Sequence, residues 1–155
     1  MIFKRRPRKA LSAEDKAFLV ELKEILGFSP NDLAYYQRAF VHRSMNLKDE
    51  KGAPVNYERL EFLGDRVLGL LLAHYFYEHC PDDNEGALSL RLHSEARTAT
   101  LSMVARKLNI ADFLQTQSGM CFAENDNVLA DVIESLLAAI YLDSGLDDAA
   151  TFLRA

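Results

Sequence analysis

The stretch Glu58-Arg-Leu-Glu-Phe-Leu-Gly-Asp65 places three carboxylates in a run that is otherwise mainly apolar. At about 100° per residue, Glu58, Glu61 and Asp65 fall within roughly 60° of one helix face. Acidic side chains are rarely buried unless something compensates their charge. The stretch therefore predicts a helix with an acidic stripe in an apolar body, and Gly64 beside the stripe would permit another helix to approach closely.

A second stretch, Leu129-Ala-Asp-Val-Ile-Glu134, repeats this pattern. Asp131 and Glu134 are one helical turn apart and share a face. Two such helices could build one cluster of oxygen ligands, which repels itself unless a hard cation lies within it. The pair of stretches therefore predicts a divalent metal site.

Helical periodicity runs through the rest of the chain, and strand patterns are absent. A capping box at Ser12–Asp15 and a stop at Gly27 delimit a first helix, and the Ser29-Pro30 pair opens a second one that runs to about Val41. The segment from His42 to Val55 is polar and is predicted to be a loop. Further helices are predicted at about 56–79, 87–95, 97–108, 110–116, 127–143 and 147–154.

The chain has 155 residues, 49% of them hydrophobic, which is enough for one domain with a single core. No apolar run has the length of a membrane span, and no secretory signal peptide is evident. Cys80 and Cys121 do not have a metal-binding spacing and are expected to be free thiols. We therefore expect a cytoplasmic protein.

The basic residues are distributed unevenly. Five of the 18 lysines and arginines fall in residues 4–9, although the net charge of the chain is −5. A short basic run of this kind is either a solvated tail or an arm that contacts phosphates. We expect residues 1–11 to form a flexible arm and residues 12–155 to form the folded domain.

Three kinds of chemistry compete for the carboxylates. Oxygen ligands with few imidazoles favour Mg²⁺ or Mn²⁺ and the hydrolysis of phosphodiesters. A di-iron bundle would need Glu-x-x-His pairs, and neither Glu61 nor Glu134 has a histidine three residues later. In the third alternative the carboxylates only form salt bridges with Arg59, Arg66 and Arg91.

Four segments resemble the ribonuclease III family. Asn56–Asp65 resembles the signature segment of that family, and Val128–Asp143 resembles its second acidic helix. Ala39–Ser44 is similar to its Thr-His-Arg-Ser stretch, and Glu85-Gly86 resembles a Glu-Gly turn found there. The similarity spans about residues 15–155.

The resemblance implies an all-α endonuclease domain that forms a symmetric homodimer and cleaves double-stranded RNA with Mg²⁺, for which Mn²⁺ is a possible substitute. The expected products carry 5′-phosphates and staggered 3′ overhangs. No small-molecule cofactor and no membrane partner are implied. Carried over by position, Glu61, Asp65, Asp131 and Glu134 would ligate the metal and organise the attacking water.

The resemblance also assigns roles outside the ligand set. Glu58 and Glu85 would be auxiliary acidic groups, and Phe62 would lie at the dimer interface, although composition alone fits an ordinary core position equally well. Family members usually continue into a double-stranded-RNA-binding domain, which we do not expect in this chain. The alternative function is a catalytically silent RNA-binding or ribosome-associated scaffold of the same fold.

Overall fold

The computed structural model describes residues 11–154, so residues 1–10 of the predicted basic arm lie outside the described part. In that part the chain is helical, with isolated β-bridge pairs and no strand, as the sequence predicts. The α-helices are α1 (Ala13–Leu26), α2 (Leu33–Ala39), α3 (Glu58–His79), α4 (Glu85–Glu95), α5 (Thr98–Lys107), α6 (Asp126–Ser144) and α7 (Leu146–Arg154). Short 3-10 helices lie at Arg43–Met45 and Ile110–Phe113.

Helix α6 is the centre of the core. It packs against α2, α3, α5 and α7, and its residues from Val128 to Ile140 are buried apart from Asp131 and Glu134, which are half-buried. Helix α3 buries one face against α6 and leaves large apolar side chains exposed on another. The two acidic stretches are therefore on helices that pack directly against each other. None of the described helices is long and apolar enough to cross a membrane.

The predicted limits of α1 are confirmed. The hydroxyl of Ser12 accepts a hydrogen bond from the backbone N–H of Asp15, and the Asp15 carboxylate accepts one from the N–H of Ser12. Gly27 ends the helix with a φ of 75°, in the left-handed region that glycine adopts without strain. Local sequence signals thus decide both ends of this helix.

The predicted start of α2 at the Ser29-Pro30 pair is wrong. The helix begins after Asp32, whose side chain accepts a hydrogen bond from the N–H of Ala34. The carboxylate of Asp143, at the end of α6, accepts hydrogen bonds from the N–H groups of Asn31 at 2.8 Å and Asp32 at 2.7 Å. This distant contact holds the chain before α2, and a local capping pattern does not reveal it.

The predicted loop after α2 contains the 3-10 helix Arg43–Met45, which begins at a buried histidine. The Nδ1 atom of His42 accepts a hydrogen bond from the N–H of Ser44 at 3.1 Å. The His42 ring lies 4.4 Å from the ring of Phe122 and 5.8 Å from that of Tyr57. These contacts fix the turn beside the start of α3.

Candidate active site

The site begins where α3 crosses α6. A Cβ atom added to Gly64 would lie 1.8 Å from the backbone oxygen of Glu134, a separation that no side chain tolerates. The two backbones therefore touch at this crossing, and the predicted close approach of another helix at Gly64 is confirmed. Because Glu61 lies less than one turn before Gly64 on α3, the crossing brings its side chain to the acidic residues of α6.

Three carboxylates meet beside this crossing. Glu61, Asp131 and Glu134 each offer an oxygen atom, and these three atoms lie within 4.8 Å of one another. All three residues are half-buried, so solvent screens their charges only partly. A set of oxygen donors without sulfur or imidazole suits a hard divalent cation. The residues present therefore fit a metal ion.

The electrostatics of the cluster lead to the same conclusion. Burial, followed by the charges of Asp65, Asp131 and Glu61, raises the pKa of Glu134 to about 7, although the charge of Arg66 acts in the opposite direction. Burial is also the main cause of the raised pKa values of Glu61 and Asp131, which Arg43 partly offsets. Each carboxylate opposes the ionisation of its neighbours, and a cation among them would relieve that repulsion.

Asp65 stands apart from the other three predicted ligands. It does not belong to the cluster of carboxylate oxygens formed by Glu61, Asp131 and Glu134. Its carboxylate instead contacts the guanidinium of Arg66. Its charge nevertheless raises the pKa of Glu134, so it adds to the negative charge that acts on the cluster. A turn of the Asp65 side chain away from Arg66 would be needed for direct ligation.

Two of the three clustered carboxylates, Glu61 and Asp131, line a cleft of about 470 Å³, and Glu134 is not among its lining residues. Glu58, Glu61 and Asp131 line it together with Arg43 and Tyr57. Sequence reasoning missed the last two, although both lie in segments that resemble the family. Burial raises the pKa of Asp131, and the phenol of Tyr57, itself buried, lowers it in part. The phenol thus supports the ionised form of one candidate ligand.

The predicted auxiliary residues have different surroundings. Glu58 lines the cleft, accepts a hydrogen bond from the side-chain amide of Asn56 at 3.0 Å and lies 3.7 Å from the Arg43 guanidinium. Glu85 begins α4, accepts a hydrogen bond from the hydroxyl of Ser89 and is not among the residues that line the cleft. The structure of one chain therefore brings Glu58, but not Glu85, to the candidate site.

The core interpretation of Phe62 is wrong for this chain. Its side chain is 68% exposed, and the guanidinium of Arg66 lies 5.7 Å from its ring centroid. Its position on α3 points it away from the buried face of that helix. The dimer-interface role of Phe62 thus stays a prediction. Burial against a second copy of the chain would explain why this large aromatic ring is exposed in the single chain.

Salt bridges account for only part of the acidic stripe. In the described part of the chain, Arg66 pairs with Asp65, whereas Arg91 pairs with Asp83, away from both acidic stretches. Within the described residues, no ion pair involves Glu61, Asp131 or Glu134. The salt-bridge alternative therefore leaves the central cluster unexplained.

Comparisons with known proteins lead to the same family. The sequence model of the family described as Ribonuclease-III-like matches residues 32–155. Proteins named Ribonuclease 3 from Flavobacterium psychrophilum and Zunongwangia profunda are 41% identical over 135 residues and 39% identical over 138 residues. Each alignment covers 86% of this chain, and 54% and 55% of the respective relatives. The chain thus spans about half the length of these relatives.

Solved structures agree with the sequence comparisons. The nuclease domain of ribonuclease III from Campylobacter jejuni superposes with a TM-score of 0.77 at 28% identity, covering 86% of this chain and 92% of that one. Dicer from Pichia stipitis superposes with a TM-score of 0.60 at 26% identity, covering 79% of this chain and 53% of that one. From its fold, its acidic cluster and these similarities, the chain belongs to the ribonuclease-III-like family.

Proposed function

We propose that this protein is a Mg²⁺-dependent endonuclease that hydrolyses double-stranded RNA and leaves 5′-phosphates and staggered 3′ overhangs. The observation that carries the proposal is the meeting of Glu61, Asp131 and Glu134 at the crossing of α3 and α6. Membership of the ribonuclease-III-like family supports the choice of substrate. Double-stranded RNA is recognised mainly by its shape and backbone, so the absence of a base-reading motif is compatible with this substrate.

The donor set supports Mg²⁺ as the cation, with Mn²⁺ as a substitute. Glu61, Asp131 and Glu134 would hold the ion, and Asp65 would join them once its carboxylate leaves Arg66. When bound, the cation would stabilise charge that develops on the phosphate and activate the attacking water. The protein supplies the half-buried position, in which each charge acts more strongly than in bulk water.

A second copy of the chain is the proposed partner at the exposed apolar face of α3. Phe62, Leu70 and Tyr77 are 68%, 55% and 75% exposed and fall within about 80° of one helix face. Exposed apolar surface of this kind usually marks an interface. The nuclease domain from Campylobacter jejuni is described as structurally flexible in a region involved in dimer formation. In a symmetric dimer of the present chain, each protomer would cut one strand.

We place the protein in the cytoplasm. Both cysteines, Cys80 and Cys121, are free, as expected where thiols stay reduced. The bacterial relatives named Ribonuclease 3 act on RNA by name, and RNA substrates are found in that compartment. Fractionation of cells that express a tagged chain checks this assignment.

The test of function is cleavage of a long, end-labelled RNA duplex at low salt. We expect the wild-type protein to cut the duplex with Mg²⁺ but not with EDTA, and to leave single-stranded RNA of the same sequence intact. Fragments with two recessed 5′ ends would identify the products. Metal-dependent binding of the duplex without any cutting would contradict the enzyme and favour the scaffold.

A further inference from the structure

One cationic side chain lies in the wall of the acidic cleft. Among the described residues that line the cleft, Arg43 is the single lysine or arginine. Its side chain is 73% exposed, and its ion-pair partner is Glu58, at 3.7 Å. Its charge acts on the cluster itself, since it lowers the pKa values of Glu61 and Asp131. Arg43 therefore lies close to the candidate ligands without being enclosed by them.

The backbone on both sides of Arg43 is well fixed. His42 is buried, and its Nδ1 atom binds the N–H of Ser44. The hydroxyl of Ser44 accepts a hydrogen bond from the N–H of Gln117 at 3.0 Å. On the opposite side, Glu58 exchanges hydrogen bonds with the side chain of Asn56. The base of the Arg43 side chain is thus held in place, while its guanidinium faces solvent.

A stabilising role explains little of this arrangement. An exposed ion pair at 3.7 Å contributes little to folding, because solvent screens both charges. A guanidinium carries five N–H donors in a fixed fork, which matches the oxygens of a phosphate. The contact with Glu58 involves one guanidinium nitrogen, and the side chain is 73% exposed, so solvent and a ligand can reach the other donors. The group that suits them is an anion arriving from solvent.

A second surface cleft, of about 440 Å³, begins at the residue after Arg43. It is lined by Ser44, Met45 and Asn46 on one side and by residues 116–118 on the other. Its lining carries hydroxyl and amide groups and no charge. The short 3-10 helix at Arg43–Met45 thus separates the acidic cleft from an uncharged polar groove, and Arg43 lies at the boundary.

We propose that Arg43 binds a backbone phosphate of the RNA strand that enters the acidic cleft. This inference rests on the proposed function, and it deepens it by naming a substrate-binding residue. The guanidinium would hold a non-bridging oxygen beside the bond to be cut, and the strand would continue over the polar groove. A phosphate contact carries no sequence information, so its loss should weaken all duplexes alike.

The test compares Arg43→Gln and Arg43→Lys with Lys23→Gln, which removes one charge from the exposed surface of α1. Duplex binding is measured by fluorescence anisotropy with Ca²⁺ in place of Mg²⁺, over a range of salt concentrations. Mn²⁺ binding without RNA is measured by calorimetry, and cleavage kinetics with Mg²⁺ give KM and kcat.

For Arg43→Gln we expect duplex affinity to fall roughly tenfold, the scale of one charge-assisted contact, with a rise in KM. The slope of log affinity against log salt should become shallower by about 1. Mn²⁺ should bind at least as tightly as in the wild type, because a positive charge has left the cluster. Arg43→Lys should recover part of the affinity, and Lys23→Gln should behave as wild type.

Two results would overturn the assignment of Arg43. An unchanged affinity or salt slope in Arg43→Gln would show that no phosphate is bound there. Weaker Mn²⁺ binding in the same variant would show that the substitution disturbs the cluster itself. Failure of the wild-type protein to cut any duplex would instead contradict the proposed function, so the two failures are separable.

Discussion

At the scale of single residues, Glu134 is the carboxylate whose ionisation the fold opposes most clearly. It is half-buried, and the negative charges of Asp65, Asp131 and Glu61 act on it together. Among the described residues, Arg66 acts in the opposite direction, and that guanidinium already contacts Asp65. Ionised Glu134 therefore weakens the metal-free fold and becomes useful when a cation is bound.

The substitution Glu134→Gln separates these two effects. It removes one negative ligand while preserving the volume of the side chain, so we expect the protein to fold. The rate of duplex cleavage should fall by at least about a hundredfold, the usual scale for loss of a charge-stabilising group. Thermal unfolding and the cleavage assay check the two halves of the prediction. Turnover at the wild-type rate would refute the role of Glu134.

The raised pKa of Glu134 also predicts how stability depends on pH. In the unfolded chain the pKa of this carboxyl is near its ordinary value of 4.5, and in the fold it is about 7. Between these values the folded state binds more protons than the unfolded state, so the free energy of unfolding falls as pH rises. We expect the Tm of the metal-free protein to decrease from about pH 5 to about pH 8.

Two controls sharpen this pH prediction. Glu134→Gln should remove most of the decrease in Tm, because glutamine does not titrate. Mg²⁺ should raise Tm most at the upper end of the pH range, where the cluster is ionised. At a Mg²⁺ concentration a hundred times its Kd, the free energy of unfolding should increase by about 2.7 kcal/mol. A Tm that does not respond to Mg²⁺ at pH 8 would contradict a metal site.

At the scale of helices, the contact between α3 and α6 determines the site. At Gly64, the backbone of Glu134 occupies the space that a side chain would need. By contrast, a Cβ at Gly69, on the same helix, would meet nothing within 4 Å. The two glycines therefore offer a matched pair of substitutions.

We expect Gly64→Ala and Gly69→Ala to have opposite effects. The first forces the helices apart and should destabilise the fold by about 1–3 kcal/mol or more, with loss of Mn²⁺ binding. The second gains helix propensity and should stabilise by up to about 1 kcal/mol. Denaturant unfolding and calorimetry with Mn²⁺ measure both. A Gly64→Ala variant that binds Mn²⁺ normally would show that the crossing does not set the site.

How far the sequence predicts these elements depends on the range of the interactions. The periodicity and acidic stripes of α3 and α6 are local, and the predicted ends of both helices agree with the structure to within two residues. The start of α2 depends on Asp143, more than a hundred residues away, so the Ser29-Pro30 pair is misleading. Likewise, the turn that carries Arg43 is held in part by the packing of His42 against Phe122, a contact between distant segments.

At the scale of the whole molecule, the exposed face of α3 bears on assembly. Phe62 is mostly exposed in the single chain, so its truncation should cost the monomer little. We expect Phe62→Ala to raise the Kd of the dimer roughly thirtyfold or more, which corresponds to a hot-spot loss of about 2 kcal/mol. Sedimentation equilibrium measures this change.

The control for Phe62 is Val20→Ala. Val20 is 61% exposed on α1, so it is an apolar surface residue on a different helix. This variant should sediment as the wild type does. Equal dimerisation of wild type and Phe62→Ala, at concentrations near the Kd, would remove Phe62 from the interface.

The contact of Gly64 with Glu134 also has a consequence for amide hydrogen exchange. Because α6 lies buried among four other helices, the backbones at this crossing cannot separate while the rest of the core stays intact. Their amide protons should exchange with solvent only when the whole domain opens, at the slow limit that global stability sets. The carboxylates that would serve catalysis are thus attached to the least fluctuating part of the chain. Motions of the helices at the surface should therefore leave the distances between these carboxylates unchanged.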